Sequence, residues 1–138
     1  MKKLLYKFVI IFLVTQLSLY ANNIFHSSPD IIDPNQPTLF TVETSQELEN
    51  ASLSLFYKLD TEASYIEETF DIVAPGTFQL LLTPVIAGEL RLDYYIQARK
   101  PDGTIMTYPE YTPKEVPLVI PIKTVEILEP VLSVLTPE

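Results

Sequence analysis

Leu90-Arg-Leu-Asp-Tyr-Tyr-Ile-Gln-Ala98 alternates apolar and polar residues and runs directly into Arg99-Lys-Pro-Asp-Gly103. Leu90, Leu92, Tyr94, Ile96 and Ala98 share one face, and Arg91, Asp93, Gln97 and Arg99 share the other. A period of two with one apolar side is the pattern of a strand in an antiparallel sheet, packed on one face and wet on the other. Pro101-Asp-Gly103 supplies hairpin chemistry, because proline presets φ and glycine accepts φ > 0.

The same period recurs along the chain. Ile24 to His26 reads as a first strand, followed by an irregular connection through Pro29, Pro34 and Pro37. Thr38 to Thr44 places Phe40 and Val42 on one side, and Ser45 to Asn50 is a polar, acidic loop. Ser52 to Leu59 directs Leu53, Leu55, Tyr57 and Leu59 one way and leaves Phe56 among the polar residues. Tyr65 to Ile72 alternates with Ile66, Phe70 and Ile72 as its inward set. Ala74-Pro-Gly76 is a turn, and Thr77 to Thr83 points Phe78, Leu80 and Leu82 inward. Thr104 to Tyr108 is the return strand after Gly103. Pro109, Pro113 and Pro117 interrupt the ladder before Val116, Leu118, Ile120 and Ile122 resume it, a pattern suited to an edge. Short strands at regular spacing bounded by Pro, Gly and Asp predict an all-β fold, a two-sheet antiparallel β-sandwich, with a closed barrel as the alternative.

The first 21 residues stand apart. Lys2, Lys3 and Lys7 precede the apolar run Phe8 to Val14, which ends near Ala21, the plan of a secretory signal peptide. Thr15, Gln16 and Ser18 interrupt the run well short of the roughly 20 apolar residues a membrane span needs. Membrane attachment is expected only through the leader, if it stays uncleaved. No cysteine follows the run, so lipoprotein processing is not open to the chain. The expected organisation is a leader at 1–21, one domain at 22–123, and a strand-like tail at 124–138. Cleavage at Ala21 leaves six basic against 18 acidic residues, a net charge of −12 that repels phosphate backbones and argues against nucleic acid.

The alternating segments resemble a fibronectin type III or immunoglobulin-like module of bacterial envelope or secreted proteins. Phe25-His-Ser-Ser-Pro29, Leu55-Phe-Tyr-Lys58, Leu92-Asp-Tyr-Tyr-Ile-Gln-Ala98, Asp102-Gly103 and Tyr108-Pro109 carry the resemblance. It implies that Tyr94, Ala98 and Gly103 take the places of the tyrosine in the penultimate strand, the small residue after it and the glycine turn. The chain lacks the tryptophan common in such cores, so Phe40, Tyr57 or Phe78 has to fill that volume. The apolar tail Val125 to Leu135 is surplus to one sandwich. It reads either as an extra edge strand of this domain or as a link to a partner or further domain.

Chemistry is sparse. His26 is the sole histidine, and Ser27, Ser28 and Asp30 beside it lack the glycine pattern of a nucleophile elbow, so a structural turn is expected. Glu67-Glu68 and Glu47-Glu49 read as solvated faces, since a glycosidase needs two carboxyls across a cleft. Asp30, Asp33 and Asp102 are calcium-competent in type but lack an EF-hand pattern and are expected in turns. Asn50-Ala-Ser52 matches a glycosylation acceptor, accidental beside a bacterial-style leader. No enzyme activity, cofactor or metal is expected. Phe56, Tyr65 and Tyr95 fall on polar faces and form the candidate partner-binding face, or simply stabilise the sheet as cross-strand pairs. The expected function is an exported spacer or protein-interaction domain of the bacterial envelope. A carbohydrate-binding module using exposed Tyr and Phe is the alternative.

Overall fold

The computed structural model describes residues 23–83 and 89–124. Residues 1–22 and the segment from Val125 onward, on which the readings of an export signal and a strand-like tail rest, lie outside the described residues. Nine strands follow in order: β1 (Ile24–His26), β2 (Thr38–Thr44), β3 (Ser52–Leu59), β4 (Ile66–Thr69), β5 (Asp71–Ala74), β6 (Thr77–Leu82), β7 (Arg91–Arg99), β8 (Ile105–Tyr108) and β9 (Leu118–Pro121). They form two packed antiparallel sheets, β1-β2-β6-β5 and β4-β3-β7-β8, with β9 also on β7. The two-sheet architecture and its antiparallel pairing agree with the sequence.

Alternation places the core. Phe40 and Val42 of β2 and Phe78, Leu80 and Leu82 of β6 meet Leu53, Leu55 and Leu59 of β3 and Leu92, Tyr94, Ile96 and Ala98 of β7, all buried. Phe40, Phe78 and Tyr94 are its largest fully buried rings, so two of the three aromatics expected to replace a tryptophan do so and Tyr57 sits at the margin. The polar loop after β2 contributes too. A 3-10 turn over Gln46–Leu48 buries Leu48 completely.

Four sequence expectations need correcting. Tyr65 to Ile72 is not one strand with an inward apolar set. The chain leaves β4 in one sheet, passes Phe70 through the core, and continues as β5 in the other sheet. Phe70 alone is buried there, its amide bonded to the Leu53 carbonyl at 2.9 Å, while Ile66 and Ile72 sit on sheet edges and are exposed. Leu90 precedes β7 and is 67% exposed, because the strand and its cover begin one residue later. Val116 is likewise exposed, since β9 starts only at Leu118. Asp93, assigned to the wet face, is the one buried charged residue among those described.

β7 shares a single flank between two short partners. β8 pairs with Ile96 to Arg99 and β9 with Arg91 to Tyr94, so the proline-containing stretch 109–117 loops out between them. That accounts for the broken ladder read from Pro109, Pro113 and Pro117. On the same side the chain after β1 crosses between sheets, where Ile32 makes a parallel bridge to Ile122. The Ile32 amide donates to Pro121 O at 3.0 Å and Lys123 N donates to Ile32 O at 2.8 Å.

The β5–β6 and β7–β8 hairpin turns use glycine differently. Gly103, at φ 90°, closes Lys100 to Thr104 with open space around it. Gly76, at φ 73° after Pro75, meets the requirement of a type II turn for φ > 0 at its third residue. A Cβ there would stand 3.2 Å from the Thr44 carbonyl oxygen. Both alanine variants carry the conformational penalty, and Gly76→Ala adds a steric one. Gly76→Ala is therefore expected to lose more than about 1 kcal/mol and more than Gly103→Ala; equal losses in urea unfolding would contradict this.

Candidate functional site

β1 ends at His26, whose side chain takes the place of the next ladder bond. Continuing the ladder would set Ser27 against Thr41, but the Thr41 carbonyl is taken by His26 Nδ1 at 2.8 Å. A carbonyl only accepts, so Nδ1 carries the proton and Nε2 is left as an acceptor. The Tyr94 hydroxyl donates to Nε2 at 2.8 Å and in turn receives a bond from the Ser28 hydroxyl. This chain of hydrogen bonds ties β1 and β2 of one sheet to β7 of the other. Phe40, Tyr94 and Tyr108 enclose the imidazole at centroid distances of 6.2, 5.7 and 6.2 Å.

Enclosure sets the electrostatics. Burial lowers the His26 pKa below the ordinary histidine value, with the bond to Thr41 pulling the other way, and burial pushes the Tyr94 phenol up to about 12. A histidine whose folded pKa is depressed contributes stability that is present above its unfolded value of about 6.5 and is lost as pH falls through the folded value. Acidification from pH 7.5 to 5 is therefore expected to destabilise the wild type more than His26→Gln in parallel urea titrations. Parallel pH profiles would show that His26 is not the group responsible.

The sequence did not reveal this cluster. No hydrogen bond joins His26 to Asp30 among the described residues, and Ser28 reaches Tyr94 across 66 positions. Its one legible trace was a tyrosine on an inward face, where a buried hydroxyl needs a partner.

The aromatic face expected from Phe56, Tyr65 and Tyr95 comes together on the other side of β7. Phe56 and Tyr95 are directly opposite in the β3–β7 register and stack at 4.9 Å with their planes 2° apart. Tyr65 meets Tyr95 edge-on at 5.1 Å, and Lys58 Nζ stands 5.0 Å from the Tyr65 centroid. The Tyr65 hydroxyl donates to Lys114 O at 3.1 Å, bringing the 109–117 loop over the cluster. Tyr95 is thus 3% exposed and offers a partner no surface, while Phe56 and Tyr65 are half-buried around it. Burial raises the phenol pKa of both tyrosines. Asp93 lies in the same layer, bonded to Arg91 Nε at 3.1 Å. The loop is held by Glu115 N and Val116 N, which both donate to the carbonyl of Thr112, a β-branched residue at φ 43°.

The other candidates take local roles. Asp33 and Asp102 accept bonds from the amides of Asn35 at 2.9 Å and Thr104 at 2.8 Å, as turn aspartates do. Glu68 accepts from the Tyr57 hydroxyl at 3.1 Å, and Glu47 pairs with Lys100. Among the described residues no group of three histidine or acidic side chains is placed to hold a metal ion.

A shallow cleft of about 490 Å³ opens between the β1 edge of one sheet and β8 of the other. Ile24, Phe25, His26, Ser27, Thr41, Glu43 and Tyr108 line it. Comparison with protein-family models finds no match, and comparison with curated proteins finds none either.

Proposed function

We propose that the chain is a non-enzymatic, exported β-sandwich module of the bacterial envelope that serves as a spacer and protein-interaction domain, of the fibronectin type III or immunoglobulin-like kind. Lettered in chain order, with β8 and β9 as one broken final strand, the sheets are A-B-E-D and C′-C-F-G. The arrangement of immunoglobulin-type sandwiches supports that placement.

The observation carrying the spacer reading is where the chain meets the sandwich. Asn23 accepts a bond from Ser45 N at the end of the domain that holds the 45–51 loop and the Lys100–Thr104 turn. Lys123 leaves from the opposite end, beside Leu90 and Ile32. The described residues thus begin at one pole and end at the other. The nine residues of β7 measure the separation as about 30 Å. A module that carries the chain from one pole to the other holds its Asn23 pole about one domain length from Lys123.

The chain has no cysteine, so two introduced ones are unique spin-label sites. Labels at Asn23→Cys and Thr124→Cys are expected to give one narrow distance distribution centred near about 30 Å plus the label arms. A broad distribution, or one centred at half that length, would sink the spacer reading. Export is tested by the mass of the protein recovered from a bacterial host, expected to begin at Asn22. The sugar-binding alternative has less support, because the central ring of the aromatic cluster is buried.

A further inference from the structure

We infer that the free edge of β1 takes an extended, lysine- or arginine-bearing segment of a partner protein, added as a strand in the cleft between β1 and β8. The inference rests on the interaction half of the reading above and deepens it. The parity of β1 follows from two hydrogen bonds. Ser45 N bonds Asn23 O, so Asn23 and Phe25 direct their backbone groups toward β2; Thr44, opposite Ile24, sends its amide the other way, to Gly76 O at 2.8 Å. Ile24 and His26 therefore turn their N–H and C=O groups outward. Among the described residues nothing in the backbone pairs with them. Open donors and acceptors at alternate residues are the groups that an added strand pairs with.

The walls of the cleft specify the side chains it accepts. The rings of Phe25 and Tyr108 give aromatic surface, with Phe25 53% exposed, while Ile24 beneath them is buried. Glu43, directly across from Phe25, puts a carboxylate on the wall and makes no ion pair among the described residues. Both ring nitrogens of His26 are already engaged, so His26 adds no competing positive charge. A cationic side chain on an extended backbone meets the Glu43 carboxylate and the Phe25 ring together, since the two share one exposed face of the β1–β2 pair. The formal charge of −9 on the full chain draws such a partner and repels an acidic one. The same charge argues against self-association through this edge.

The test uses the full chain, amide hydrogen exchange, and two short capped peptides, one alternating lysine with valine and the other glutamate with valine. The lysine peptide is expected to slow exchange at Ile24 and His26. Its affinity is expected to fall by about tenfold or more in Glu43→Lys or at high salt, and the glutamate peptide is expected not to bind. Equal binding of the two peptides overturns the inference, as does protection confined to Ile105 and Thr107 on β8. Ile24 and His26 amides that are already protected in the free chain and indifferent to the peptide also overturn it, because the edge is then occupied from within the chain. None of these outcomes alters the Asn23-to-Thr124 distance, so the spacer reading stands or falls separately.

Discussion

Phe40→Ala is expected to cost about 3–5 kcal/mol of stability, the loss typical of a fully buried phenylalanine. Set against the roughly 5–15 kcal/mol that holds a domain folded, this single ring accounts for a large share. Phe40 is fully buried on β2, packs edge-on against Tyr94 of the opposite sheet at 5.3 Å, and forms one wall of the His26 site. Its removal leaves a cavity at the junction of the two sheets and loosens the imidazole. Urea unfolding should show a lower midpoint with an unchanged slope. Phe25→Ala, on the exposed side of the neighbouring strand β1 and opposite Glu43, serves as the contrast and should change stability little. A loss below about 1 kcal/mol for Phe40→Ala would mean that the sheets close over the gap.

Tyr94→Phe is the second large effect, expected at about 1–3 kcal/mol. The ring and its packing survive, and only the hydroxyl between Ser28 and His26 Nε2 disappears. The cost arises from what is left behind, a half-buried imidazole nitrogen without its donor. Pairing Tyr94→Phe with Ser28→Ala in a double-mutant cycle should give a coupling of about 0.5–3 kcal/mol. Tyr57→Phe should cost less. The Tyr57 hydroxyl bonds the Glu68 carboxylate near solvent, where water can replace it, although burial and that carboxylate raise its pKa to about 12. Additive losses for Tyr94 and Ser28 would show that their bond does not contribute to the fold.

The period-two pattern made most of the sandwich legible. Leu53, Leu55 and Leu59 on β3 and Phe78, Leu80 and Leu82 on β6 point inward as their spacing requires. Pattern reading failed where a residue's environment depends on distant chain. Ile66 and Ile72 alternate correctly with Phe70, but nothing local reports that the strand changes sheets at Phe70 and leaves the other two on edges. Asp93 and Tyr95 lie on the nominally wet face and are buried because Tyr65, Arg91 and the 109–117 loop lean over them. The aromatic grouping itself was visible, since Phe56 and Tyr95 each broke a polar alternation. Its degree of exposure was not, because the cover comes from a loop with no periodicity.

The passage of Phe70 from one sheet to the other has a counterpart on the opposite flank, where the chain leaving β1 reaches β9 at Ile32. Each side of the sandwich is stitched by a covalent thread with hydrogen bonds to both layers. Neither layer can slide or peel without dragging the other, so a pull applied through the two poles loads both together. Amides in β2 and β6 should then exchange at the same free energy as those in β3 and β7, as one cooperative unit. Resistance of the sandwich to separation of its sheets would then come from these two seams as much as from the apolar layer between them.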